Sequence, residues 1–176
     1  MQDKEIISRC LKGEIEAFEV LVKKYEKNVR CLAWNILGNR EEAEDVTQET
    51  FIQAYLSLNR FDTKRSFKNW LYSIAYRRCI DRKRKEKVFF KYIKKFISGK
   101  KSGINIREKG IEYSERFAPL LSKLNEKERT AIILKINEGY SAKEIAEVLN
   151  CAESTARVHL FNARRKLKKL LEEENV

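Results

Sequence analysis

Proline is nearly missing from this chain: Pro119 is the only one among 176 residues. With so little to interrupt them, helices can run long. Histidine is equally scarce, His159 standing alone. The four cysteines, Cys10, Cys31, Cys79 and Cys151, are scattered with no CxxC pair. Zinc sites draw on close ligand pairs, so the pattern points to isolated reduced thiols, with no metal and no cofactor expected. No run approaches the roughly 18 uncharged apolar residues that a membrane span needs, so no membrane insertion is expected. The opening MQDKEIISRCLKGE is charged throughout and lacks the apolar core of a signal peptide. The expected location is the cytoplasm. No stretch alternates with the period of a strand, and there is no internal repeat.

Positive charge is abundant and unevenly placed. The formal net charge is +12. Residues 1–60 sum to −2 and residues 110–176 to +1, while residues 77–109 carry 14 basic against 3 acidic side chains. Solubility alone does not require such a concentration; a polyanionic partner explains it.

Apolar residues recur at helical spacing. Ile15, Phe18, Leu21, Val22 and Tyr25 begin one run, and Val29, Leu32, Ala33, Ile36 and Leu37 continue it. Gly38-Asn39 closes it as a helix C-terminus does. A second helix is predicted over about 40–58 and a third over 67–87, with Leu71, Ile74 and Ala75 facing inward. VFFKYIKKFI, residues 88–97, reads as a short helix. SGKKSGINIREKG, residues 98–110, reads as a linker, and 114–172 as wholly helical. The expectation is an all-α protein of two small helical domains joined by a flexible basic linker. The two domains are expected to move independently unless a partner clamps them.

The C-terminal stretch YSAKEIAEVLNCAESTARVHLFNARRKL, residues 140–167, has helix-turn-helix form. Ser141 with Glu144 makes a capping box, Asn150-Cys151-Ala152 a tight turn, and Ser154 or Glu153 the cap of a second helix. Ala156, Leu160, Ala163 and Leu167 form the inner stripe of that helix. Arg157, His159, Asn162, Arg164, Arg165 and Lys166 are left to face outward, as donors for base edges and phosphates. An ordinary helical hairpin with a basic face is the plain alternative.

Two N-terminal stretches pose harder questions. In EEAEDVTQETFIQAYLSL, Glu42, Asp45 and Glu49 fall on one helix face. A divalent-metal site, a solvated face, and a docking surface for a basic partner with Gln48 and Gln53 all remain open. In RSFKNWLYSIAYRR, rings and cations interleave. Phe67 and Trp70 read as core, whereas Tyr72, Ser73, Tyr76 and Arg77 are the better candidates for an exposed side that meets nucleic acid.

Three segments, DVTQETFIQAYLSLNRFD, SFKNWLYSIAYRRCIDRKRK and the helix-turn-helix ending in FNARRKL, together resemble bacterial RNA polymerase sigma factors of the extracytoplasmic-function (ECF) group in the sigma-70 family. The resemblance spans nearly the whole chain. It implies that residues 1–87 are sigma region 2, that 88–113 are a basic linker, and that 114–176 are sigma region 4. Glu42, Asp45, Gln48, Glu49, Ile52 and Gln53 would dock on the beta-prime clamp helices of core RNA polymerase. Asn59, Phe61, Lys64, Arg65, Ser66, Lys68, Tyr72, Ser73, Tyr76, Arg77, Arg78 and Arg82 would read and melt the minus-10 element. Glu153, Ser154, Thr155, Arg157, His159, Asn162, Arg165 and Lys166 would read the minus-35 element, with the same domain touching the beta flap. The implied partners are core polymerase, promoter DNA and an anti-sigma factor. The chain departs from the common family pattern at Arg77, at the Asn150–Glu153 turn and at Asn162, positions that bear on promoter preference. A DNA-acting enzyme would need a positioned nucleophile or converging carboxylates. A plain dimeric repressor would need neither the acidic helix nor the aromatic-basic block.

Overall fold

In the computed structural model of the chain, residues 3–97 and 120–174 are described, their side chains over 3–85 and 120–170. The expected linker residues 98–113 lie outside the described residues. All regular structure among the described residues is helical.

The N-terminal half holds four helices. Helix α1 (Asp3–Leu11) was not expected, because its stretch is dense in charge. It forms because Ile6 and Ile7 bury together on α2 while the charges face water. Asp3 accepts from Lys24 Nζ at 2.6 Å and from the Tyr25 hydroxyl, which ties the first turn down. Helix α2 (Ile15–Leu37) ends where Gly38 takes the left-handed conformation, φ 76°, and its N–H reaches Trp34 O at 2.7 Å. The next residue, Asn39, caps α3 (Arg40–Leu56) by accepting from the Glu42 N–H at 3.1 Å. A 3-10 turn over Leu58–Arg60 follows, so α3 stops two residues short of the expected end.

Helix α4 (Phe67–Ile97) is continuous, and residues 88–97 extend it instead of forming a separate short helix. Ser66 caps it, its hydroxyl accepting from the Asn69 N–H at 3.3 Å. At 31 residues it spans about 47 Å.

The C-terminal half carries a helical turn at 120–122, then α5 (Glu126–Glu138), α6 (Ala142–Leu149) and α7 (Glu153–Glu174). Asn125 with Glu128, and Ser141 with Glu144, complete reciprocal capping boxes. Asn150 sits at φ 51°, the left-handed turn residue expected between α6 and α7. Helix α7 begins at Glu153 with Ala152 flanking it, so neither Glu153 nor Ser154 is the cap.

The two halves do not stand apart. Helix α6 packs against α4 and α5 against α2, and buried side chains of both halves form one continuous apolar cluster. Along α4, Leu71, Ala75 and Cys79 are buried, and so are Asn69, Tyr72, Ser73 and Tyr76. One side of α4 faces its own half and another faces the C-terminal half.

Candidate nucleic-acid interface

Helix α4 and the loop before it were expected to present rings and cations to nucleic acid. The cations are largely outward: Lys64, Arg65 and Arg77 are exposed, as is Asn59. The rings are not. Phe61 is buried, its ring 4.7 Å from Trp70 and 5.7 Å from Phe67, and so anchors the loop to the core. Tyr72 is only 1% exposed and Tyr76 7%, contrary to the expectation for both, and Ser73 is buried beside them with its hydroxyl on Trp70 O. Burial pushes the Tyr76 hydroxyl up to about 12 and that of Tyr72 further still, so both stay neutral.

What covers them is the C-terminal half. Tyr72 donates to Glu138 Oε1 at 3.1 Å, and its ring stacks on Tyr140 with centroids 6.0 Å apart. Lys68 Nζ reaches Glu138 Oε2 at 2.6 Å and lies over both tyrosine rings. Asn69 Nδ2 donates to Glu147 Oε2 at 3.0 Å. Neither Asn69 nor Glu138 was singled out in the sequence. Their partners stand 78 and 66 residues away, so no local spacing could reveal them.

The acidic face of α3 meets the basic face of α4. Arg82 bridges Asp45 at 3.2 Å and Glu49 at 2.7 Å. Arg78 reaches Glu49 at 3.5 Å and Gln53 Oε1 at 2.9 Å. Two groups of residues that the sequence kept apart thus interlock. Glu42 is half-buried near the N-terminus of α3, while Gln48 is exposed and Ile52 is 60% exposed. Leu56, one turn beyond Ile52, is also exposed, and apolar residues at i and i+4 on an outer face are a legible signal of a contact surface. Among the described residues no group of three or more His, Cys, Asp or Glu side chains is placed to hold a metal ion.

On α7, Ser154, Arg157 and Arg165 are exposed, and Thr155 and Asn162 half-buried. Glu153 pairs with Arg157 at 2.6 Å. Two expected outward residues turn inward. Lys166 Nζ holds the buried Glu128 carboxylate at 2.7 Å, and His159 tucks its Nε2 into a buried position, where burial lowers its affinity for a proton. In their place the helix exposes Val158 and Phe161, at 54% and 64%, with the Arg165 guanidinium over the Phe161 ring.

Basic, apolar and acidic surfaces on a two-part helical frame define a protein that joins nucleic acid to a protein partner. Comparison with known proteins agrees. Residues 21–88 match the family model for sigma-70 region 2, and residues 114–167 that for sigma-70 region 4. The chain is 34% identical to the ECF RNA polymerase sigma factor SigW of Bacillus subtilis, over 97% of each chain. It is 31% identical to the RNA polymerase sigma-H factor of Pseudomonas aeruginosa, over 97% of this chain and 94% of that one. Among solved structures, CnrH in complex with the cytosolic domain of CnrY matches with a TM-score of 0.73 at 25% identity, over 97% of both chains. The chain belongs to the ECF group of the sigma-70 family. It is a promoter-recognising alternative sigma factor that works with RNA polymerase, and not an enzyme. No helix among the described residues is long and apolar enough to cross a membrane.

Proposed function

We propose that the two halves divide the work of initiation at the boundaries 1–87 and 114–176. The observation that carries this reading is the α3–α4 network, in which Arg78 and Arg82 bond Asp45, Glu49 and Gln53 and so join an acidic-apolar surface to a basic one along a shared edge. Gln48, Ile52 and the outer edges of Asp45 and Glu49 dock on the beta-prime clamp helices of core RNA polymerase, a contact that suits a basic partner. Glu42 and Gln53 support that face from its margins. Beside it, Asn59, Lys64, Arg65, Ser66, Lys68, Arg77, Arg78 and Arg82 receive the minus-10 strand, with Tyr72, Ser73 and Tyr76 available once uncovered. Phe61 holds the loop in shape.

Helix α7 reads the minus-35 element in the major groove. Arg157, Arg165 and Asn162 supply donors, Glu153 orients Arg157, and Ser154 and Thr155 lie by phosphate at the helix N-terminus. Val158 and Phe161 add apolar contact of the kind that recognises thymine methyl groups. His159 and Lys166 act by fixing α7 on α5. The same domain touches the beta flap. An anti-sigma factor is the expected regulator, and the cytoplasm the site of action.

The test is transcription by reconstituted holoenzyme on a duplex promoter and on the same promoter with a pre-melted bubble. Arg77→Ala is expected to impair the duplex more than the bubble if the residue acts in opening. Equal loss on both templates, fading at high salt, reduces Arg77 to a phosphate contact.

A further inference from the structure

We infer that helix α1 positions the loop that reads the minus-10 strand, acting from a distance through the hydrogen bond between Asp3 and Tyr25. The inference rests on the assignment of residues 59–66 to that strand and names what holds them in place. Phe61 alone among those residues is buried. The Asp62 carbonyl accepts from the Arg65 N–H at 2.9 Å, and the Asp62 carboxylate from the Lys64 N–H at 2.9 Å. These local bonds shape the loop within itself but do not set where it lies on the molecule. Its seat is the Phe61 ring, which meets Phe67 edge-on at 5.7 Å and Trp70 at 4.7 Å. Phe67 in turn lies 5.9 Å from the ring of Tyr25 on α2. Aromatic pairs prefer particular angles as well as distances, so a tilt of one ring passes to the next.

Tyr25 is 6% exposed, and a buried hydroxyl needs a partner. Helix α1 supplies it. Asp3 accepts from the Tyr25 hydroxyl and, at 2.6 Å, from Lys24 Nζ, so one carboxylate grips two consecutive residues of α2. Lys24 Nζ also stands 5.2 Å from the centre of the Tyr25 ring. Burial, helped by Asp3, pushes the Tyr25 hydroxyl up to about 12, so it remains a donor. The same helix packs on the 3-10 turn over Leu58–Arg60, at the root of the loop. Helix α1 therefore reaches the loop by two routes, one through that turn and one through Tyr25, Phe67 and Phe61. It lies ahead of residues 21–88, which match region 2, so the support comes from outside that match. Tyr25 is buried and acts through other rings, which makes it a positioning residue for minus-10 reading.

The experiment is transcription by reconstituted holoenzyme on two promoter libraries, one randomised at the minus-10 element and one at the minus-35 element. Asp3→Asn, Tyr25→Phe and Tyr25→Ala are compared with the wild type. Preference is read as transcript from the favoured sequences over transcript from the median one. Asp3→Asn and Tyr25→Phe should each flatten the minus-10 preference about three- to tenfold, and the pair together no further than either alone. Tyr25→Ala, which removes the ring as well, should flatten it more. The minus-35 preference should hold in all of them. Glu5→Gln removes a carboxylate from an exposed position on α1 outside this contact and should change neither preference. An unchanged minus-10 preference in Asp3→Asn and Tyr25→Phe, whatever their melting temperatures, overturns the positioning role. So does an equal loss on both libraries, which is the mark of a merely weakened fold. If Tyr25→Ala loses helix by circular dichroism, Asp3→Asn and Tyr25→Phe decide the question. Arg65→Ala tests the underlying assignment by itself. If it leaves the minus-10 preference intact, the strand does not lie on this loop. If it flattens that preference while Asp3→Asn and Tyr25→Phe do not, the assignment stands and only the support from α1 falls.

Discussion

Glu128 shows how one residue can join a cap to a contact between helices. Its backbone N–H binds the Asn125 side chain at 2.9 Å while its carboxylate accepts from the Asn125 N–H and from Lys166 Nζ. Burial alone would raise its pKa, but Lys166 and the backbone N–H together hold it below the usual carboxylate range. A carboxyl with a depressed folded pKa contributes stability that is present above its unfolded pKa and lost as pH falls through the folded one. Lys166→Ala should therefore destabilise the protein at neutral pH by about 1–2 kcal/mol, since it leaves a buried carboxylate short of a partner. Urea titrations at several pH values check this. The gap between wild type and variant is expected to narrow as pH drops below the ordinary carboxylate range. A gap that holds constant with pH would mean that Lys166 acts through its aliphatic stem.

The α3–α4 pair changes how the docking face has to be probed. Glu49 sits between Arg78 and Arg82, so Glu49→Lys would place three cations together and loosen the helix pair as well as the docking surface. Gln48→Lys and Ile52→Glu alter the outward face alone, and an exposed substitution typically costs under about 0.5 kcal/mol of stability. Both are expected to weaken binding to core polymerase about tenfold or more while the melting temperature stays put. Co-elution and surface plasmon resonance with core polymerase measure it. Unchanged affinity in both variants would move the docking surface off α3. The same element-level logic explains α7. Its inner stripe held as expected, but Lys166 and His159 were drawn inward by α5, and Val158 and Phe161 were left outside.

For the whole molecule, one continuous apolar cluster runs through both halves. Both tryptophans, Trp34 and Trp70, lie in the N-terminal half, whereas far-ultraviolet circular dichroism reports helix in both halves. The two probes are expected to give coincident thermal transitions for the free chain. A dichroism transition that separates from the fluorescence one would show halves that unfold independently, as the glycine-bearing linker by itself suggested. Lys68 and Glu138 pair across the partly exposed junction of the two halves, so rising salt is expected to weaken that contact.

Local signals were legible in the sequence wherever the cause was local. Gly38, Asn150 and the Ser141–Glu144 box ended or began helices where spacing placed them, because capping and left-handed turns are decided within a few residues. The two-part helical class, the basic bias and the family followed from patterns along the chain. Helix α1 escaped notice because two buried isoleucines in a charged stretch carry too weak a periodicity. What only the tertiary structure decided was which side of α4 is a surface. Tyr72 and Tyr76 have the same polar-tipped rings whether they face water or a second domain. Burial is set by Tyr140, Glu138 and α6, far along the chain, and Arg78 and Arg82 are likewise assigned by the carboxylates of α3. Helical period fixes which residues share a face, but only packing fixes what that face meets.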